Sequence, residues 1–151
     1  MPFKSILCPT DLSPMSIAAM KKAVELARAF GAKLTLLHVQ EDFMDKDEMI
    51  MLRVSVDHFQ EVQKQRALEA KKIMVEEVEQ AGGADLDVQY LLREGQKPYK
   101  VILQIADEIG ADLIMMATNG RTGFEELVLG SNAENVVRRS KCPVLTIRVN
   151  P

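Results

Sequence analysis

Lys33-Leu-Thr-Leu-Leu-His-Val39 carries apolar residues at positions 34, 36, 37 and 39, so both faces of any strand it forms are apolar. A strand with one wet face alternates; one that is apolar on both parities is covered on both sides, as in parallel sheets sandwiched by helices. Parallel neighbours cannot be joined by a tight hairpin, so this reading demands helical crossovers before and after the run.

The flanking sequence meets that demand. Upstream, Ser5 to Cys8 is a short apolar run ended by Pro9. Ser13 and Pro14 read as the cap and first position of a helix. Ile17, Met20, Val24 and Ala27 follow at helical spacing, and Gly31 is a stop signal. Downstream, Gln40 to Glu48 lacks periodicity and reads as a loop. From about Met49 to Ala81 a helical pattern runs without Gly or Pro to Gly82-Gly83. Its mixed charges, including Gln63-Lys64-Gln65-Arg66, Lys71-Lys72 and Glu76-Glu77, are expected on a solvated face.

Leu86 to Leu92 reads as a third strand. Gly95 and Pro98 open a helix striped by Ile102, Ile105, Ala106 and Ile109, and Gly110 ends it. Asp112 to Ala117 is a fourth strand, followed by a loop with Asn119, Gly120 and Gly123. Gly130-Ser131 opens a last helix to about Ser140, and Val144 to Val149 is a fifth strand. This alternation predicts an α/β fold: one domain over residues 1–151, with an open parallel five-stranded sheet and helices on both faces. Ligands of such sheets bind beyond the carboxyl ends of the strands, where the strand order reverses. Attention therefore falls on Pro9, Thr10 and Asp11, on Val39, and on the segment after Ala117.

Composition bounds the rest. A chain of 151 residues, 47% hydrophobic and 27% charged, has room for a core without disulfide or metal staples. Its net charge of −3 lacks the basic footprint of bulk nucleic-acid or anionic-membrane binding. No apolar run approaches the ~18 residues that span a bilayer, and the first residues lack a signal-peptide pattern, so a cytoplasmic location is expected. Cys8 and Cys142 read as buried free thiols. His38, inside a strand, reads as a satisfied buried histidine, and His58 as solvent-facing. Neither shares a metal-ligand spacing with another His, Cys or carboxylate. Met44, Met49 and Met51 read as core, with an adaptable partner surface as the alternative.

The glycine-spaced stretch from Ala117 to Asn135 is the richest in chemistry. Gly130-Ser131 stands where a helix begins, so main-chain N–H groups and the positive dipole end can meet a phosphate there. A structural reading competes: Ser131-Asn-Ala-Glu134 is an S-x-x-E capping box, which by itself accounts for both residues. Asp11 likewise suits a turn or helix start. The signatures of P-loop nucleotidases, dinucleotide-binding turns, nucleophile elbows and zinc proteases are absent. A phospho-receiver would want an acidic pair after the first strand, where only Asp11 stands.

Lys4-Ser-Ile-Leu-Cys-Pro-Thr-Asp-Leu-Ser13, Leu36-Leu-His-Val39, Gly95 with Pro98, Ile102 and Ala106, Ala111-Asp-Leu-Ile114, the glycine loop and Lys141-Cys-Pro-Val-Leu145 together resemble the universal stress protein family. The likeness runs from Phe3 to Val149 and implies a Rossmann-like fold of the adenine nucleotide alpha hydrolase type. The nucleotide-binding branch carries G-x2-G-x9-G-[ST]. Gly120, Gly130 and Ser131 match it, while Ala117 replaces the first glycine. The added methyl is tolerated where φ is negative and is strained where φ is positive.

The resemblance implies an ATP-binding stress regulator, retaining ATP, ADP or AMP with Mg²⁺, and at most slow hydrolysis or autophosphorylation. It implies that Val39 meets the adenine edge through its backbone and that Asp11 accepts from ribose or adenine. Pro9 and Thr10 would shape the wall, and Met116 and Ala117 would line the nucleotide path. Gly120, Gly130, Ser131 and Asn132 would hold phosphate, with Arg121 as an extra partner. The alternative is a member without nucleotide that acts as a dimeric interaction protein. In either case a homodimer through the edge strand Val144–Val149 is implied.

Overall fold

The computed structural model describes residues 3–42, 44–118 and 129–148. Its elements are β1 (Ser5–Pro9), α1 (Pro14–Phe30), β2 (Lys33–Gln40), α2 (Lys46–Met51), α3 (Val56–Gln80), β3 (Val88–Glu94), α4 (Pro98–Ile109), β4 (Leu113–Ala117), α5 (Ser131–Arg139) and β5 (Val144–Ile147). All strand pairs are parallel, in the order β3-β2-β1-β4-β5. The winding reverses between β1 and β4.

The double-faced apolar strands bury two layers. Ile6, Cys8, Leu34, Leu36 and Met115 pack with Met20 and Val24 of α1 and Met74 and Val78 of α3. Leu7, Leu37, Ile114 and Met116 pack with Ile102 and Ile105 of α4 and Val136 of α5. Helices therefore cover both faces, as the continuous apolar runs require. Gly31 and Gly110 close α1 and α4 at φ of 64° and 65°, a left-handed conformation that costs glycine nothing.

The long helix expected from Met49 is broken, and part of the loop before it is helical. Asp45 caps α2 by accepting from the Glu48 N–H at 2.8 Å. Arg53, at φ 55°, ends it in a left-handed turn closed by Val54 N–H on the Met49 carbonyl. Ser55 then caps α3 through the His58 N–H at 3.1 Å. Two side-chain caps outweigh an unbroken periodicity, because each satisfies N–H groups that a new helix start leaves open. α2 buries no residue and Met51 is 79% exposed, so the core reading of that methionine group is corrected.

Smaller shifts have local causes. β3 starts at Val88 rather than Leu86. β4 starts at Leu113 because Asp112 turns its carboxylate onto the Lys4 and Ser5 N–H groups. β5 is an edge strand with Leu145 exposed; Val149, expected in it, lies outside the described residues. Along α3, Gln63, Ala70, Met74, Glu77 and Val78 share the inward face. Glu76 is solvated as expected; Glu77 and Gln63 are buried, contrary to the reading of those charged stretches as a wet face.

Cys8 is buried, and that burial, with the nearby Glu77 charge adding to it, pushes its thiol up to about 12. Cys142 is only half-buried, which corrects the expectation for it. A thiol reagent at pH 8 is expected to modify one cysteine per folded chain, at position 142, and the second only after denaturation. Mass spectrometry of the labelled protein checks this; rapid labelling of Cys8 in the folded state contradicts it.

Candidate functional site

The ladder between β1 and β4 covers only Ile6–Leu113 and Leu7–Ile114, whereas β1 and β2 stay paired to Pro9–Leu37. The carboxyl ends of β1 and β4 therefore part, and a cavity of about 270 Å³ opens where the winding reverses.

One wall is the turn after β1. Thr10 N–H bonds the Leu37 carbonyl at 2.8 Å, carrying the sheet pattern one residue past the strand. Leu12 adopts φ 66°, a left-handed conformation rare for a branched residue. Local polar bonds offset that strain: Leu12 N–H donates to Thr10 Oγ1 at 3.1 Å and Ser13 N–H to Asp11 Oδ1 at 2.9 Å. The turn role weighed for Asp11 is thus real, and Asp11 also lines the cavity. His38, buried near the end of β2, also lines the cavity, and its Nδ1 donates to the Thr10 carbonyl at 2.9 Å.

The second wall comes from β2. Val39 and Glu41 line the cavity. Their backbone is steadied by a buried amide cluster, in which Gln40 Nε2 donates to the Gln63 carbonyl and Oε1, and Gln63 Nε2 to Asp42 Oδ1.

The third wall is β4 with the start of α5. Met116, Ala117 and Thr118 lead to Gly130, Ser131 and Asn132. Ala117 closes β4 and is not among the described residues with positive φ, so its methyl carries no backbone strain there. The capping box is not formed. Gly130 takes the cap position and has no side chain to offer, which moves Ser131 to the first helical position. Glu134 instead pairs with Arg138 at 3.0 Å. The start of α5, without a side-chain cap, and an exposed serine hydroxyl therefore form part of the cavity wall. Asn132 acts differently: its Oδ1 accepts from Tyr99 N–H at 3.1 Å, tying the first turn of α4 to that of α5.

Nine of the expected site residues, Pro9, Thr10, Asp11, Val39, Met116, Ala117, Gly130, Ser131 and Asn132, thus surround one cavity. Gly120 and Arg121 lie outside the described residues. The sequence reading missed Ser16, His38, Glu41, Pro98, Ile102, Thr118 and Ala133, which also line it. Glu41 stands two residues past Val39, on the same parity, which was a usable signal. Pro98 and Ile102 enter only through the way α4 crosses the sheet.

Beneath the first wall lies Glu77 of α3, 5% exposed. Its Oε2 is 3.3 Å from Thr10 Oγ1, which lies 2.8 Å from Ser16 Oγ. Burial pushes the Glu77 carboxyl up to about 7, against the opposing hydrogen bond from Thr10 and with help from the Asp11 charge. Among the described residues no cluster of His, Cys, Asp or Glu gathers to hold a metal ion. None of their helices is long and apolar enough to cross a membrane.

A family model described as the universal stress protein family matches residues 2–148. The chain is 34% identical to universal stress protein MJ0531 of Methanocaldococcus jannaschii, over 97% of this chain and 82% of that protein. Universal stress protein UspA from Lactobacillus plantarum has the same fold, with a TM-score of 0.80 at 25% identity, covering 98% of this chain and 99% of its own. A universal stress protein in complex with cAMP superposes with a TM-score of 0.71 at 24% identity, covering 98% of both chains.

Proposed function

The chain belongs to the universal stress protein family, and from that premise we propose that it binds an adenine nucleotide in the cavity between β1 and β4. The observation that carries this reading is the start of α5. A helix led by Gly130, whose cap position makes no side-chain hydrogen bond, with the Ser131 hydroxyl beside it, would form an anion cradle of N–H groups. A helix already capped by Ser131 and Glu134 would have offered less.

The remaining walls suit the nucleoside. Val39 would meet the adenine edge with its backbone, and Asp11 would accept from ribose or adenine. Pro9, Thr10, Met116 and Ala117 would enclose the rings. Gly130 and Ser131 would hold phosphate. Asn132 would do so through its main chain, since its side-chain oxygen is engaged by Tyr99. Gly120 and Arg121 would complete the cradle. Mg²⁺ would enter mainly on the oxygens of ATP or ADP, as it usually does where protein carboxylates are few. The described walls offer acceptors and N–H donors but no paired acid and base around a phosphate, so the reading is of a nucleotide-dependent stress regulator in the cytoplasm with slow hydrolysis at most.

Calorimetric titration with Mg·ATP, ADP and AMP tests it. Micromolar binding of at least one is expected, weakened tenfold or more by Gly130→Val, whose side chain would occupy the cradle. No heat of binding at millimolar nucleotide overturns the reading and leaves the dimeric interaction protein. That alternative draws on β5, an edge strand with Leu145 exposed. Unpaired edges invite a second copy, and we propose the homodimer through this strand for either function.

A further inference from the structure

Glu77 is a buried carboxylate that the nucleotide reading leaves unused. We propose that Glu77 takes up a proton when an anionic nucleotide enters the cavity, so that affinity rises as pH falls. The proposal rests on the nucleotide reading and adds to it a coupling between ligand charge and proton.

Four contacts converge on two hydroxyls: Leu12 N–H to Thr10 Oγ1 at 3.1 Å, Thr10 Oγ1 with Glu77 Oε2 at 3.3 Å, Thr10 Oγ1 with Ser16 Oγ at 2.8 Å, and Ser16 Oγ to the Ser13 carbonyl at 2.7 Å. An ionised Glu77 leaves three hydrogens for these four contacts, so one pair of oxygens faces without a proton. A protonated Glu77 supplies the fourth. It donates to Thr10, Thr10 to Ser16 and Ser16 to Ser13, and every contact holds one hydrogen. The neutral carboxyl therefore fits the turn that walls the cavity better than the carboxylate does.

The surroundings favour the same state. Among the described residues no cation pairs with Glu77. β1 faces it with Cys8, whose thiol stays protonated, and the following turn with Asp11, whose charge opposes ionisation. α1 contributes the Ser16 hydroxyl; its Lys21 and Lys22 are exposed, and Lys22 pairs with Glu25. On β2, His38 donates to the Thr10 carbonyl, and on β3, burial raises the Tyr90 hydroxyl, with the Glu79 charge adding to it. A polyphosphate in the cavity adds negative potential to a site that Asp11 already biases, so the proton on Glu77 is held more firmly in the complex.

Isothermal titration with Mg·ATP, in two buffers of different protonation enthalpy from pH 6 to 8.5, counts the protons. For a one-unit rise from a starting point near neutrality, wild type is expected to take up about 0.4 proton more per nucleotide at pH 7 than Glu77→Gln, and to bind about sevenfold tighter at pH 6 than at 8.5. Glu77→Gln keeps Asp11 and His38, so the difference belongs to position 77. Carbon-13 NMR of the wild-type carboxyls provides a readout without a variant: the Glu77 resonance is expected to titrate near neutrality and to move upward with Mg·ATP. Nucleotide binding with equal proton counts in both proteins, or a Glu77 resonance that nucleotide leaves unmoved, overturns the coupling while the nucleotide reading stands. No binding at pH 6 or 8.5 overturns both.

Discussion

Ser131→Asp is expected to weaken Mg·ATP binding at least a hundredfold and to leave the fold as stable as before or slightly more so. The two effects have one origin. Ser131 is the first helical residue of α5, on the cavity wall, after a Gly130 that has no side chain to cap with. A carboxylate there sits at the positive end of the helix dipole, where negative charge contributes about 0.3–1 kcal/mol to helix stability. The same carboxylate would face a bound phosphate, and like charges at a separation of about 4 Å cost about 4 kcal/mol at an effective dielectric near 20. Exposure of the serine screens part of this, and roughly 3 kcal/mol, or about a hundredfold, is retained. Ser131→Ala loses one hydroxyl donor and is expected to weaken binding by about tenfold or less. Calorimetry for affinity and thermal unfolding for stability check the pair. An Asp variant that binds like its parent would remove the phosphates from α5, and loss of binding together with a lower Tm would point to damage to the fold rather than charge in the cradle.

What could be read in advance follows from where each signal lives. β2 was legible because residues 34, 36 and 37 had to satisfy two covered faces at once, and few other structures permit that pattern. α1 and α4 were legible at their ends, where Pro14, Gly31, Pro98 and Gly110 act through backbone sterics that tertiary contacts rarely override. The break between α2 and α3 was not, because Asp45 and Ser55 signal starts only to a reader who already doubts that one helix continues. The S-x-x-E at Ser131 misled for a related reason: the motif fits a cap one residue later than the real one, and Gly130 took the position. Glu77 was hidden by its neighbour. Glu76-Glu77 looks like a solvated pair, yet position 77 follows Gln63, Ala70 and Met74 on one inward stripe, a spacing that the sequence carries. Of the candidate cavity, the turn after β1 was legible from its place past the carboxyl end of a strand at the reversal of the winding, and the start of α5 from Gly130 and Ser131. The contribution of α4 depends on how helices cross the sheet, which no local pattern encodes.

Glu77→Gln is expected to raise stability at pH 8 by about 2–3 kcal/mol and to leave it nearly unchanged at pH 4.5. The sign follows from the direction of the shift. Burial raises the folded-state carboxyl from an ordinary value of 4.5 to about 7, so between those values the native protein holds a proton that the unfolded chain has released. Stability from this group is whole below about 4.5, declines as pH climbs toward 7, and is gone above it. A shift of that size corresponds to roughly 3 kcal/mol. Glutamine keeps the shape and can donate to Thr10 Oγ1 as the protonated acid does, but has no charge to bury. Asp85 runs the other way: the hydrogen bond from Arg28 holds its carboxyl below the usual range, so its contribution is lost on acidification, and equally in both proteins. Urea unfolding of wild type and variant across pH 4.5–8.5 isolates the Glu77 share as the difference between the two curves. At the size of this chain that difference is worth about 5–10 °C in Tm at pH 8. Curves that run parallel over the whole range would mean that Glu77 titrates in the folded protein as it does in the unfolded chain. A widening gap would show a carboxylate that weakens the fold at neutral pH where an amide would not.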